Sequence, residues 1–92
     1  MNLRQLAKVV LLTYALLQAA NTIEPDCTSE GRPLDPDLWL HWYRTTFVPA
    51  NEAWTKAMDE LERVTGDEFP GRHPQNFRPY CTQILNETAS PL

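Results

Sequence analysis

The sequence predicts a small all-α domain. Two stretches, residues 36–48 and 50–65, repeat apolar residues at the three- and four-residue spacing of amphipathic helices. No stretch shows the apolar–polar alternation of a half-buried strand. We therefore expect a helical hairpin or kinked helix pair, followed by a short C-terminal helix and preceded by an N-terminal signal or anchor helix.

The first 22 residues have the order of a signal peptide. Arg4 and Lys8 precede an apolar run at 9–17, and polar residues close the segment at 18–22. We expect an exported protein, which is either secreted, periplasmic or held on the outer face of a membrane. Residues 1–22 would then be a signal peptide, and 23–92 a small extracytoplasmic helical domain.

An uncleaved membrane anchor is the alternative for the same segment, because the cleavage signal is not the preferred Ala-x-Ala. The uninterrupted apolar stretch 9–20 holds 12 residues, whereas a span needs roughly 20. A short anchored helix with membrane contact through residues 3–23 remains open, with its two basic residues on the cytoplasmic side.

The two cysteines predict a disulfide. Without its first 22 residues the chain has 92 − 22 = 70 residues, and a domain of that size has a marginal core. In an oxidising compartment, a bond between Cys27 and Cys81 would close a loop of 81 − 27 = 54 residues. Such a bond would stabilise the fold by about 4 kcal/mol. Two unpaired thiols are the alternative if the protein is not exported.

Net charge excludes several partners. The chain has a charge of −4, and without the two basic residues of its leader it would have 6 basic against 12 acidic residues, or −6. Nucleic acid and anionic membrane surfaces are poor partners for such a surface.

Local signals set the first helix of the domain. A connector rich in proline and glycine spans 21–36. Asp35 has the residue type of an N-cap, and Pro36 suits the first helical position. The helix should run to about Val48. Pro49 then either breaks it or begins a second helix, because an interior proline removes a backbone hydrogen bond.

The second helix should end at Gly66, a residue suited to a left-handed C-cap. Breakers in 67–78 predict an ordered loop or strap. Pro79 should open a third, short helix through about Asn86, and the tail 87–92 should fray.

No reaction is indicated by the polar residues. His41 and His73 lack a second ligand at metal spacing, so we expect no metal and no cofactor. A domain this small offers little room for a water-excluding pocket, and we expect no enzyme. Asn86 begins an Asn-Glu-Thr triplet, which fits the N-glycosylation acceptor pattern.

The apolar arc of the first predicted helix is too wide for one neighbour to cover. It spans about 200° and includes three aromatic types. Trp39 and Tyr43 lie in its middle, four residues apart, and Arg44 flanks them. Because aromatic and Arg anchors dominate many interfaces, we expect these three residues to contact a protein partner.

The resulting hypothesis is an extracytoplasmic protein-binding module that acts by surface complementarity. A small inhibitor, an immunity or exclusion factor and a secreted ligand all fit this class. The alternative is an accessory subunit of a membrane protein complex, anchored by its N-terminal helix. In both cases the partner is another protein.

Overall fold

A computed structural model describes residues 1–88, so the predicted end of the tail, 89–92, lies outside the described part of the chain. The described chain is 77% helical without strands, which confirms the all-α class. In chain order its elements are α1 (Leu3–Thr22), α2 (Pro36–Trp42), a π-helical turn (Tyr43–Phe47), α3 (Val48–Thr65), a 3-10 turn (Pro70–Arg72) and α4 (Pro74–Thr88).

Helix α1 packs against both α3 and α4. It begins with a capping box, in which Asn2 and Gln5 each accept a hydrogen bond from the other's backbone N–H. Near the same end, the Arg4 guanidinium donates to the Leu85 carbonyl of α4 at 3.0 Å. The three helices share one core, whose buried residues are Leu6, Ala7, Val10, Ala57, Met58, Leu61, Phe69, Phe77, Cys81 and Ile84.

The segment expected to be a leader or anchor is therefore a packed helix in this structure. Its buried residues are Leu6, Ala7, Val10, Leu17 and Ala20. None of the helices within residues 1–88 combines the length and apolarity needed to cross a membrane.

Helix α2 continues into α3 through the π-helical turn. As predicted, Asp35 caps α2, and its side chain accepts a hydrogen bond from the Leu38 N–H at 3.1 Å. The backbone of Phe47 and Val48 stays right-handed helical, so Pro49 does not break the helix. Because Pro49 lacks an N–H and crowds the preceding turn, widening that turn accommodates it.

The end of α3 and the strap are as the sequence indicated, whereas the last helix is longer. Gly66 ends α3 in the left-handed conformation, with φ of 73°. Helix α4 begins at Pro74, five residues before the predicted start, and contains Pro79. Its buried stripe explains why the helix continues through a proline. Phe77, Cys81 and Ile84, spaced four and three apart, all face the core, while Pro79 is exposed.

The predicted disulfide is wrong, because both cysteines are free thiols. Cys81 lies in the core beside the first turns of α1, whereas Cys27 follows the end of α1 and forms a backbone bridge with Pro33. From Leu6 to Thr22, helix α1 extends about 24 Å. A disulfide needs Cα atoms within about 7 Å, so α1 keeps the two thiols apart.

We predict that the two thiols differ in reactivity. Burial raises the pKa of Cys81 to about 11. Partial burial and, less strongly, the Glu24 carboxylate also raise the pKa of Cys27. A higher pKa leaves less thiolate at a given pH, so at pH 8 iodoacetamide should modify Cys27 slowly and Cys81 only on unfolding. Mass spectrometry without reductant should find two modified cysteines after denaturation; finding none would restore the disulfide.

We also predict that residues 23–92 do not fold alone. Deleting 1–22 removes one wall of the core and exposes the buried faces of α3 and α4, so the thermal transition followed by circular dichroism should be lost. Leu12→Ala is the matched control, because Leu12 lies on the exposed side of α1. It should change the free energy of unfolding by no more than about 0.5 kcal/mol. A cooperative transition in the truncated chain would contradict the prediction.

Candidate functional site

The candidate site is at the end of the molecule where α2 meets the C-terminal end of α1. Trp42 joins the two helices: its side chain is 7% exposed, and its indole N–H donates to the Ala20 carbonyl at 2.9 Å. That bond satisfies the one polar atom of a buried tryptophan. Trp42 therefore holds α2 in place while the other side of α2 stays open.

Three aromatic rings line the open side of this helix, and we call Trp39, Tyr43 and Phe47 the aromatic row. The Trp39 and Tyr43 ring centroids are 5.2 Å apart, at an angle of 13° between the ring planes. Those of Tyr43 and Phe47 are 5.5 Å apart at 18°. Tyr43 is 37% exposed, and the other two rings are half-buried. The rings stack on one another and leave their outer surface to solvent.

Exposed leucines extend the apolar surface of the row on both sides. Leu40 is exposed on one side, and Leu38, 53% exposed, is on the other. Arg44 lies four residues after Leu40, on the same side of the helix. It is exposed and in no ion pair within residues 1–88. The structure thus brings the three predicted contact residues, Trp39, Tyr43 and Arg44, to one surface.

An acidic cleft adjoins the row, and sequence reasoning missed it. The connector after α1 meets the start of α2 around a volume of about 400 Å³. Three carboxylates and three apolar side chains line this acidic cleft: Glu24, Pro25, Asp26, Leu34, Asp35 and Leu38. The Trp39 indole N–H donates to Glu24 Oε2 at 2.9 Å, which ties the cleft to the row. Five acidic residues against one basic residue in 24–37 were the available signal.

A second apolar surface lies between α1 and α3, and we call it the apolar groove. It has a volume of about 380 Å³ and a lining without charged side chains: Leu16, Ala19, Ala20, Ile23, Thr46, Pro49, Ala50 and Ala53. Four alanines in this lining leave room for close approach of another surface. Leu16 and Ile23 on its rim are exposed, as is Leu12 one turn earlier.

The remaining polar candidates do not form a reactive centre. Within residues 1–88, no three His, Cys, Asp or Glu side chains are placed to hold a metal ion. His41 and His73 are both exposed. Asn86 is exposed in the last turn of α4. Arg72 of the strap pairs with Asp59 and Glu62 of α3, which fastens the strap to its helix.

The fold and this surface define the protein as a small α-helical domain with an open aromatic face. No protein-family model, curated protein or solved structure matches the chain.

We predict that Trp42 and Tyr43, although adjacent, differ in their effect on stability. Trp42→Ala removes a buried ring and leaves the Ala20 carbonyl without its partner, which should lower the free energy of unfolding by about 3–5 kcal/mol. Tyr43→Ala removes an exposed ring and should cost roughly 1 kcal/mol or less. Urea unfolding of both variants measures the difference, and equal losses would mean that the row is also part of the core.

Proposed function

We propose that the protein is a protein-binding module that acts by surface complementarity through the aromatic row and Arg44. The observation that supports this most is the row itself. Two tryptophans, a tyrosine and a phenylalanine lie together, and only Trp42 is buried. Burying such rings in a partner releases large apolar areas from water, and aromatic and Arg side chains are enriched among residues that dominate binding energy.

A protein is a better partner for this surface than nucleic acid or an anionic membrane. The row lies beside the carboxylates of the acidic cleft, and the whole chain has a net charge of −4. Like charges would repel phosphate groups. A small inhibitor, an immunity or exclusion factor, or a secreted ligand would each use such a face against another protein.

Location is a separate part of the proposal. The basic and then apolar order of residues 1–20 supports export. The packing of α1 against α3 and α4 supports a working protein that keeps this helix. We therefore propose an extracytoplasmic module in which residues 3–22 are part of the folded domain, and the N-terminal sequence of the protein isolated from its source would test retention directly.

An accessory subunit of a membrane protein complex is the second candidate, and the apolar groove favours it. Helix α1 exposes Leu12, Leu16 and Ile23 along one side, next to the uncharged groove. Such a face suits docking against apolar helices of a larger complex. The two candidates use different surfaces, so substitutions distinguish them.

We predict that the double change Trp39→Ala with Tyr43→Ala weakens capture of a partner from the native source by at least roughly tenfold, or about 1.4 kcal/mol. The captured protein is identified by mass spectrometry with the wild-type chain, and its affinity for each variant is then measured. The thermal transition should change little, because these side chains lie outside the main core.

The matched control is Leu12→Ser with Leu16→Ser, which removes an equally exposed apolar pair from α1. It should leave capture unchanged if the aromatic row is the contact. The reverse pattern, with capture lost only in the α1 variant, would favour the accessory subunit. Equal capture by all three proteins would contradict both candidates.

A further inference from the structure

The acidic cleft combines two chemistries in one place. Its apolar walls are open to solvent, since Leu34 is 65% exposed and Leu38 is 53% exposed. Glu24, Asp26 and Asp35 surround the same volume of about 400 Å³. An occupant that suits this lining has an apolar stem and a cationic end. Lysine and arginine side chains have that construction.

Charge complementarity is strong at this location. Residues 24–37 contain five acidic residues and one basic residue, a net −4, and the whole chain is also −4, so all other residues together sum to zero. The ion pairs within residues 1–88 are Arg63 with Glu60, and Arg72 with Asp59 and Glu62. None of them involves residues 24–37. The protein's excess negative charge is therefore concentrated beside the aromatic row and is not neutralised there.

The hydrogen bonds around the cleft fix its walls and leave acceptors open. Glu24 Oε2 accepts from the Trp39 indole, and Asp35 Oδ1 accepts from the Leu38 N–H. The second oxygen of each carboxylate is left for another donor, and the Asp26 side chain has no bond within the described chain. Because Glu24 touches both surfaces, a residue in the cleft and a residue on the row would be neighbours in a partner.

We infer that the partner inserts a lysine or arginine side chain into the acidic cleft while apolar residues of the same segment cover the aromatic row. This inference rests on the proposed function and specifies the chemistry of its partner: an amphipathic segment with basic residues. Complementary charges of this kind raise the association rate and select the partner.

Two synthetic peptides test the inference on the full chain. The probe is Ac-Leu-Lys-Ser-Leu-Lys-Ser-NH2, and its twin replaces both lysines with glutamine. In ¹⁵N NMR titrations the lysine peptide should shift amide signals of residues 24–38 and the Trp39 indole signal. It should bind roughly tenfold more tightly than the twin, with an affinity that falls as salt is added.

Two variants with the same charge change test the location. Glu24→Gln with Asp26→Asn neutralises the cleft, and the glutamine retains an acceptor for the Trp39 indole. Glu30→Gln with Asp37→Asn removes two charges from the same segment but outside the lining. The first pair should lose roughly tenfold in affinity for the lysine peptide and the second pair no more than about twofold.

Equal binding of both peptides, or equal losses in the two variants, would overturn the inference in favour of apolar contact or a diffuse field. Sedimentation tests a second copy as the occupant: a dimer that dissociates only in the cleft variant would also overturn it. The function and the inference can fail separately. If the row variant loses partner capture but the lysine peptide does not bind, the proposed function stands without the cleft. If the peptide binds and the row variant still captures its partner, the proposed surface fails.

Discussion

The pairing of α1 with α3 is the contact on which the rest of the structure depends. It places apolar faces from the two ends of the chain in one core, and α4 packs against α1 beside them. Helix α4 has 15 residues against 20 in α1 and 30 in the continuous helix from Pro36 to Thr65, or about 22 Å against 30 and 45 Å. One helix therefore cannot cover the whole pair. The surface it leaves open includes the apolar groove and the aromatic row.

The π-helical turn decides which way the open end faces. Trp42 and Leu61 are 19 residues apart, which in an uninterrupted α-helix places them about 100° apart around the axis. A π-helical turn absorbs one extra residue, so the effective spacing is 18 residues, or five full turns. Trp42 can then face α1 in line with Leu61, and both are buried. The same rotation keeps the aromatic row away from α1, so a proline that the sequence presents as a break instead orients the candidate site.

Sequence reasoning succeeded where structure depends on adjacent residues. The Asp35 cap and the Gly66 end follow from local backbone chemistry, and the wide apolar arc nominated Trp39, Tyr43 and Arg44. It failed where distant segments meet. An apolar helix suits a membrane or a core equally, and only contact with α3 and α4 assigns α1 to a core. Without α1 the domain looked too small and a disulfide seemed necessary. The acidic cleft was missed because its two walls are separated in sequence and meet through the Trp39–Glu24 bond.

Stability and recognition are placed at opposite ends of α1. The buried cluster of α1, α3 and α4 surrounds Leu6, Leu61 and Phe77, whereas Trp42 is the main buried side chain that fastens α2. Exposed rings and unpaired carboxylates destabilise little at a site where few other contacts depend on them. The same carboxylates also oppose nonspecific association of the exposed rings, because two copies of the face would bring like charges together. A partner with basic residues would remove that repulsion, so the charge that keeps the free protein soluble would also select what covers the aromatic row.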